Sequence, residues 1–297
     1  MTEFLDDLRA SGPELRLLTD AEDRESYRRD ETAHFEPGLP MAVALPSSTE
    51  QVATILRVAT KHRVPVVPRG AGSGLSGGSA GIEGALTVAL TGMNQIVEID
   101  RENLVAVVQP GVVNAELKAA VAKEGFFYPP DPASYEFCTI GGNIGTNAGG
   151  LCCVKYGVTR DAVLGLEVVL ADGRVIRTGG KNVKDVAGYS LTHLFVGSQG
   201  TLGIVTEATL RLRPAPPPKQ TMLAFFPTIV AAGQAVAAMT AAGVEPCTLE
   251  LMDAVTIAAV DDWHNLGLDR SAAALLLVES DRPGSAAADE LARAADA

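Results

Sequence analysis

The sequence contains few of the residues that build cross-linked or metal-bound proteins. Only four cysteines occur in 297 residues, and none has the C-x-x-C spacing that is typical of zinc and redox sites. His34, His62 and His264 have no partner at ligand spacing, and His193 lies in an apolar segment, which favours a structural or surface position. We therefore predict neither a disulfide framework nor a metal site in this chain.

Basic charge and long apolar runs are also scarce. Lysine and arginine number 24 against 36 aspartates and glutamates, which gives a net charge of −12 without any basic block and argues against a nucleic-acid partner. The amino-terminal sequence MTEFLDDLRA is too acidic for a secretory signal, and the most apolar run, residues 229–244, is too short to span a membrane. We expect a cytoplasmic protein that does not span the membrane, with peripheral membrane attachment left open.

Glycine, in contrast, is abundant and concentrated in two stretches. The first is VPRGAGSGLSGGSAGIEG at residues 67–84, and the second is TIGGNIGTNAGG at residues 139–150. Glycine is poor material for a helix, but its lack of a Cβ allows successive backbone N–H groups to curl around an anion. Since strand-like residues flank the first stretch, we predict that it binds a phosphate or pyrophosphate; a flexible Gly/Ser linker is the alternative.

The first glycine stretch matches neither of the common nucleotide motifs. It lacks the Gly-Lys-Ser/Thr ending of a P-loop, and Leu75 stands where G-x-G-x-x-G requires its last glycine. The residues behind it also indicate a strand where the dinucleotide motif opens a helix. The sequence therefore predicts a different anion site, which uses backbone N–H groups because the chain has no broad basic field.

Periodicity and turn signals predict the elements around these stretches. Ser48-x-x-Gln51 has the pattern of a capping box, and the apolar spacing behind it predicts a helix that ends near Arg63. Asn114 is predicted to cap a second helix, and Asp172-Gly173 to turn a β-hairpin. Strands are predicted at residues 64–67, 85–90, 95–100, 104–109, 164–170, 174–178 and 201–212.

A proline-rich segment, RPAPPPK at residues 213–219, predicts a stiff hinge and a domain boundary. Behind it, strands at residues 221–226, 248–251 and 273–279 are each followed by a helical pattern, which is typical of a small α+β layer. Residues 1–40, at the other end of the chain, have the pattern of an N-terminal arm with short helical pieces and a turn.

Five sequence blocks occur in order along the chain. They are VPRGAGSGLSGG at residues 67–78, PPDP at 129–132, TIGGN and NAGG within 139–150, KYG at 155–157, and FVG with GTLGIVTE within 195–207. Together they resemble the FAD-binding domain of the vanillyl-alcohol oxidase / p-cresol methylhydroxylase superfamily, and within it the branch of the glycolate oxidase FAD-linked subunit and D-lactate dehydrogenase. The resemblance is dense over residues 40–215 and fades into the last segment.

The resemblance implies an α+β fold, in which a two-subdomain FAD-binding domain of the p-cresol methylhydroxylase (PCMH) type precedes a partial ferredoxin-like α+β cap domain. We expect an N-terminal helical arm at residues 1–40, the FAD-binding domain at 41–215 and an incomplete substrate or cap domain at 216–297. Relatives with covalent flavin carry a histidine in or beside the first glycine stretch, and none lies between Arg69 and Gly84. The implied cofactor is therefore non-covalent FAD.

The resemblance also implies FAD contacts residue by residue. The first glycine stretch would wrap the pyrophosphate, the second would lie along the ribityl chain and the flavin ring, and a late strand would lie by the adenine end or the ring edge. Asp131 stands between two prolines, so a purely structural turn is the alternative for it. Gln199 stands where this branch has glutamate, which changes the electrostatics near the ring. The implied contacts are Pro68, Arg69, Gly70, Ala71, Gly72, Ser73, Gly74, Leu75, Ser76, Asp131, Ser134, Thr139, Gly141, Gly142, Asn143, Gly145, Asn147, Gly149, Gly203, Ile204 and Val205.

The implied activity is oxidation of a D-2-hydroxy acid, such as glycolate or D-lactate, to the 2-oxo acid by hydride transfer to flavin. An acceptor protein or a quinone would then take the electrons. Relatives continue past the position of Ala297 with a His-x-Gly-Asp-Gly-Asn type motif, so the catalytic residues and any divalent metal are expected in that missing C-terminal part. The alternatives are D-2-hydroxyglutarate dehydrogenase, an alkylglycerone-phosphate-synthase-like enzyme, or a non-catalytic flavin-binding subunit or fragment.

Overall fold

The residues that the computed structural model describes, 2–12 and 14–297, form two packing units. The first unit contains the residues up to Tyr128 together with Pro132–Ala148 and Val158–Pro214. The second contains Pro129–Asp131, Gly149–Gly157 and Ala215–Ala297. The second unit thus includes two short segments that precede the proline-rich boundary in the sequence, and the three-part division into arm, FAD-binding domain and cap stays a proposal.

The helices and strands have the following bounds. In chain order they are α1 (Thr2–Ser11), β1 (Arg16–Leu18), α2 (Ala21–Glu25), β2 (Ala42–Leu45), α3 (Thr49–His62), β3 (Val66–Arg69), β4 (Leu86–Ala89), β5 (Ile96–Asp100), β6 (Val105–Val108), α4 (Asn114–Lys123), β7 (Phe126–Phe127), α5 (Ile140–Thr146), α6 (Cys153–Tyr156), α7 (Thr159–Ala162), β8 (Val163–Val169), β9 (Val175–Gly179), α8 (Leu191–Phe195), β10 (Ile204–Arg211), β11 (Arg213–Pro214), β12 (Gln220–Phe226), α9 (Ile229–Ala241), β13 (Thr248–Asp253), α10 (Ala254–His264), β14 (Ala274–Ser280) and α11 (Ser285–Asp296). None of the described helices combines the length and the apolar character needed to cross a bilayer.

Two larger sheets organise the first unit. In one, the strand order is β1-β2-β4-β3, with β2 and β3 both parallel to β4. The other has the order β5-β6-β10-β8-β9 and is antiparallel throughout. α3 connects β2 to β3 and buries its apolar stripe in the core of the first sheet, as a crossover between parallel strands requires. The first glycine stretch therefore begins where β3 ends and returns to the parallel neighbour β4.

The start of α3 agrees with the sequence prediction, and the start of α4 does not. Ser48 Oγ accepts a hydrogen bond from Gln51 N over 3.3 Å, although Gln51 Oε1 accepts from Ser47 N where a full capping box would use Ser48 N. Asn114 is not the N-cap of α4: Val113 holds that position, and Asn114 is the first helical residue. Its side chain is buried and donates a hydrogen bond to the side chain of Asn143.

The β-hairpin predicted around Asp172-Gly173 is confirmed by β8 and β9. Leu170 N donates to Arg174 O over 2.8 Å, and Gly173 has a φ of 81°. A left-handed backbone at this position favours glycine, because other side chains would be strained there.

The second unit contains an antiparallel sheet with the order β12-β14-β13. The strands and helices predicted beyond the proline-rich segment all form, which confirms the α+β class of this part. One face of the sheet buries Leu276 and Val278 against α9 and α11. Because side chains alternate across a strand, Leu223 and Phe225 of β12 lie on the other face, where both are exposed.

A buried carboxylate joins α6 to the end of β14 within this unit. The side chain of Asp281 is 1% exposed and accepts hydrogen bonds from Lys155 Nζ and Tyr156 Oη. Burial by itself raises the pKa of Asp281, but the hydrogen bonds from these two residues and the charge of Lys155 outweigh it, so the pKa lies below its ordinary value. A carboxyl group with a lowered pKa stabilises the folded state above its unfolded pKa, and this contribution is lost as the pH falls through the folded pKa.

We predict that Asp281→Asn lowers the free energy of unfolding by about 3 kcal/mol at pH 7, because it leaves Lys155 without its buried counter-charge. The difference from the wild type should shrink on acidification toward pH 3, because the unfolded wild-type chain binds a proton at Asp281 below the ordinary aspartate pKa of 3.8, whereas the folded state binds it only at lower pH. Urea unfolding followed by circular dichroism at both pH values measures this. The exposed Asp289→Asn serves as the control. An equal loss at both pH values would show that the charge of Asp281 does not matter.

Candidate cofactor site

The loop between β3 and β4 contains backbone N–H groups that have no hydrogen-bond acceptor in the described part of the chain. We call residues 70–84 the donor loop. The backbone N–H groups of residues 71–78 donate no hydrogen bond to any described part of the protein, whereas the carbonyl groups of Gly74, Gly77, Ser79 and Gly81 all accept one. Successive unpaired N–H groups on one loop are the chemistry of an anion site. The physical prediction made for the first glycine stretch therefore has a structural counterpart.

The side chain of Arg69, a predicted cofactor contact at the start of the donor loop, is engaged by the protein. It is 7% exposed, and its two terminal nitrogens donate to Ser79 O over 3.0 Å and to Arg29 O over 2.7 Å. Its guanidinium group is therefore committed to backbone carbonyls. Any part that Arg69 has in cofactor binding runs through the backbone or through the shape of the loop.

The second glycine stretch differs from the first, because it forms the helix α5 in spite of its glycines. Thr139 is the N-cap, with Oγ1 accepting from Gly142 N over 3.2 Å. The N–H of Ile140 donates to Val112 O, and that of Gly141 to Pro110 O, each over 2.8 Å. The backbone N–H groups at the amino end of α5 are therefore hydrogen-bonded within the protein. This stretch can contact a ligand through its surface shape, but it has no unpaired N–H groups at this end.

The two glycine stretches touch each other. A Cβ built on Gly70 would overlap Thr139 Oγ1, the atom that caps α5. A Cβ on Gly141 would come within 2.6 Å of Pro110 Cβ, so this glycine is required by the packing of α5 against the neighbouring loop. Because Gly70 and Gly141 have no side chains, α5 can pack closely against both the donor loop and the loop that contains Pro110.

A third block, residues 197–200, closes against both stretches. Gln199 N donates to Gly145 O over 2.9 Å, at the carboxyl half of α5. Ser76 Oγ of the donor loop donates to Gln199 Oε1 over 3.3 Å. A Cβ on Gly200 would overlap Pro68. Gln199 therefore links two predicted contact regions, a role that the sequence did not indicate.

The predicted contact Asn143 has its side chain in the protein interior. Asn143 Oδ1 accepts from Asn114 Nδ2 over 2.9 Å, and Asn143 Nδ2 donates to the Cys138 sulfur over 3.1 Å. All three of these side chains are buried. This amide pair explains the position of Asn114, because it ties the start of α4 to the middle of α5. A burial pattern in the sequence could not have indicated it, since both residues are polar.

Other predicted contacts of the first unit lie in turns and strands. Ser134 O accepts from Cys138 N over 2.8 Å in the turn that leads to α5, and Asn147 ends α5 with a φ of 50°. Ile204 and Val205 pair with β8, whereas β6 pairs with β10 only from Ala208 onward. Gly203 lies against Val168, where a Cβ would come within 2.7 Å of Val168 Cγ1. The other edge of β10 therefore has no strand partner at its start in the described chain.

Asp131 and Gly149 belong to the second unit, whereas the other predicted contacts belong to the first. Asp131 Oδ1 accepts from Cys152 N over 3.1 Å, and a Cβ on Gly150 would overlap the Asp131 carbonyl. Asp131 therefore braces this turn, and its predicted contact with FAD stays a proposal.

The second unit also contains an apolar cavity of about 580 Å³ between β12, α9 and α11. Met222, Phe226, Ala235 and Met239 are among its lining residues. None of the predicted FAD contacts is among its lining residues. Among the described residues, no group of three metal-ligating side chains comes together.

Comparison with protein families places these features in context. The family described as FAD binding domain matches residues 40–179, and the C-terminal domain of FAD linked oxidases matches residues 215–297. The chain belongs to the FAD-linked oxidases. FAD is the cofactor of this family, and the unpaired N–H groups of the donor loop fit a pyrophosphate.

Proteins with similar sequences include glycolate oxidase subunits and a D-lactate dehydrogenase. The chain is 51% identical over 276 residues to the glycolate oxidase subunit GlcD of Bacillus subtilis, which covers 93% of this chain and 58% of that protein. It is 41% identical over 280 residues to the same subunit of Escherichia coli K12, covering 94% and 56%. It is 43% identical over 201 residues to a D-lactate dehydrogenase of Anaerostipes hadrus, covering 68% and 42%. The chain thus spans little more than half of the two glycolate oxidase subunits.

Solved structures share the fold at low sequence identity. An alkyldihydroxyacetonephosphate synthase aligns with a TM-score of 0.80 at 24% identity, over all of this chain and 58% of that one. p-Cresol methylhydroxylase with substrate bound also aligns with a TM-score of 0.80, at 19% identity, over 99% of this chain and 63% of that one. The predicted PCMH-type fold is therefore confirmed.

We predict that Gly74→Ala weakens FAD binding about tenfold without lowering the melting temperature of the FAD-free protein. A Cβ on Gly74 meets no protein atom within 4 Å, so the fold has room for it, but the methyl group would project beside the unpaired N–H groups. Fluorescence titration gives the FAD dissociation constant and differential scanning fluorimetry the melting temperature. Gly180→Ala, which also meets nothing within 4 Å but lies after β9, is the matched control. Unchanged FAD affinity in Gly74→Ala would remove the donor loop from the site.

Proposed function

We propose that this protein is an FAD-dependent oxidoreductase that oxidises a D-2-hydroxy acid of the glycolate or D-lactate type to the 2-oxo acid. The observation that carries the proposal is the donor loop, whose unpaired N–H groups suit the pyrophosphate of FAD. The similarity to glycolate oxidase subunits and D-lactate dehydrogenase supports the substrate class. When bound, FAD supplies the hydride acceptor, and the protein contributes binding and orientation.

Backbone donors suit the charge of this protein. The sequence has a net charge of −12 and contains no block of basic residues, so in this proposal the N–H dipoles of residues 71–78 meet the pyrophosphate charge at close range. We keep the sequence-based contacts as proposals, with the backbone of the donor loop as the part that binds the phosphates. Arg69 and Asn143 would act by shaping the site, because their side chains are engaged inside the protein.

We propose that FAD is bound without a covalent link. No histidine lies between Arg69 and Gly84. Cys138, the cysteine nearest to α5 in sequence, is 2% exposed and hydrogen-bonded to Asn143. Burial of this thiol argues against its attachment to the flavin. An acceptor protein or quinone, and a cytoplasmic location with peripheral membrane attachment left open, complete the proposal.

The visible absorption spectrum of the purified protein before and after acid precipitation tests the cofactor. We expect flavin bands that move into the supernatant, because only backbone hydrogen bonds and packing hold FAD. Flavin that stays in the pellet would mean a covalent link. A colourless protein that also takes up no added FAD would end the functional proposal.

Anaerobic mixing of the FAD-loaded protein with hydroxy acids tests the substrate class. We expect D-lactate or glycolate to bleach the visible flavin band, with L-lactate as the stereochemical control and D-2-hydroxyglutarate as the rival substrate. Dithionite must bleach the same sample, since this shows that the bound flavin can be reduced. Bleaching by D-2-hydroxyglutarate alone would replace the proposed substrate.

A second candidate is a flavin-binding unit that performs no chemistry by itself. The observation in its favour is that the chain spans only 58% and 56% of the two glycolate oxidase subunits. In the same experiment, this candidate predicts bleaching by dithionite and by none of the hydroxy acids. The two candidates are therefore separated by one set of spectra.

A further inference from the structure

A segment of the N-terminal arm runs beside the donor loop and is hydrogen-bonded to it. We call this segment, residues 28–38, the clasp. Glu31 N donates to Gly74 O over 3.1 Å, and Gly81 N donates to Arg28 O over 2.7 Å. The contacts thus reach from the middle of the donor loop to its far side.

Packing reinforces these hydrogen bonds at two glycines of the donor loop. A Cβ on Gly77 would overlap the ring of Phe35, and a Cβ on Gly81 would overlap Gly38 O. Gly38 N also donates to Gly81 O over 2.9 Å. The clasp and the donor loop therefore approach as closely as backbone and ring atoms allow, and a side chain at either glycine would push them apart.

Arg69 connects the clasp, the start of the donor loop and its end. It lies at the end of β3, donates forward to Ser79 O, and donates across to Arg29 O of the clasp. The ring of Tyr27 covers the guanidinium group at 5.8 Å from the ring centre. Charge-assisted hydrogen bonds from a buried guanidinium are among the strong ones, and a planar fork can serve two carbonyls at once.

The orientation of the peptide groups explains what these contacts achieve. In a planar trans peptide the carbonyl and the following N–H point in opposite directions. Because the carbonyl of Gly74 points at the clasp, the N–H of Leu75 points away from it. The clasp binds carbonyl oxygens of the donor loop, and the unpaired N–H groups are left on residues 71–78. The matching family region begins at residue 40, so it does not include the clasp.

We propose that the clasp is part of the FAD site and that Arg69 is its positioning residue. By binding the carbonyl oxygens of Gly74 and Gly81, and with Arg69 binding that of Ser79, the clasp keeps the backbone N–H groups of the donor loop turned toward the position of the pyrophosphate. Neither Arg69 nor the clasp needs to touch FAD. This inference rests on the proposed function, since it requires that the donor loop binds the phosphates of FAD.

Limited proteolysis of the unmodified protein tests the coupling in one direction. If the clasp orders the loop for FAD, FAD must in turn stabilise the clasp, because coupling between two sites is reciprocal. We expect saturating FAD to slow tryptic cleavage after Arg28 and Arg29 roughly tenfold. Cleavage after Arg293, in the second unit, is the internal control. Equal cleavage of the clasp with and without FAD would overturn the proposal.

Ligand binding to variants of Arg69 tests the coupling in the other direction. Arg69→Met keeps the apolar stem and removes both donors, and Arg69→Lys restores a charge with a single ammonium group. We expect Arg69→Met to weaken FAD and ADP, which share the pyrophosphate, roughly tenfold or more, with partial recovery in Arg69→Lys. Riboflavin, which has no phosphate, should bind the variants as it binds the wild type. Arg57→Met, which removes an exposed arginine from α3, is the matched control.

The outcomes separate this inference from the proposed function. If wild type and Arg69→Met bind FAD equally, the clasp has no part in the site although the functional proposal stands. If riboflavin and FAD are weakened by the same factor, Arg69 supports the fold generally and does not position the donor loop. If the wild type binds no FAD, the functional proposal itself fails. Should Arg69→Met not fold, proteolysis of the wild type still decides.

Discussion

The candidate site depends on how the peptide groups of the donor loop are oriented, with carbonyl groups toward the protein and N–H groups away from it. Several carbonyl groups of the loop are paired with the protein, whereas the N–H groups of residues 71–78 are not. A loop with all its peptide groups paired would have nothing to offer an anion, and a loop with none paired would have no fixed shape. The structure lies between these limits. Glycine makes this division possible, because its backbone tolerates the left-handed conformations at Gly72 and Gly77.

Under the proposed function, the same pairing of peptide groups would allow an acidic protein to hold a cofactor that carries two phosphate groups. Long-range attraction by basic residues is not available at a net charge of −12. Partial charges on backbone N–H groups act at hydrogen-bond distance and are set in place before the ligand arrives. Arg69, the basic residue that directly precedes the loop, donates its side-chain hydrogen bonds to backbone carbonyls. We therefore propose that its charge acts on the shape of the site and not on the ligand.

The two glycine stretches have similar compositions and different structures. In α5, Gly141 permits close packing against Pro110. At the start of the donor loop, Gly70 permits close packing against Thr139, the N-cap of α5. In the donor loop, the glycines permit unusual backbone angles and close approach of the clasp. Composition alone could not separate these uses, because each depends on which neighbour lies opposite the missing Cβ. The pair Asn114–Asn143 adds a buried polar tie whose partners are 29 residues apart in sequence.

The sequence by itself determined most of the strands and longer helices, the class of fold and the family, and it predicts an anion-binding role for the first glycine stretch. These predictions rest on local signals, which can be interpreted without knowledge of the fold. They are the apolar spacing, the cap at Ser48, the Asp172-Gly173 turn and the ordered motif blocks. Tertiary structure decided that the second stretch is a helix, that Asn114 is a buried amide partner, that Asp131 braces a turn and that the arm meets the donor loop. Each of these depends on a contact between segments far apart in sequence. The hydrogen bonds and steric fits that produce them do not exist until folding brings the two sides together.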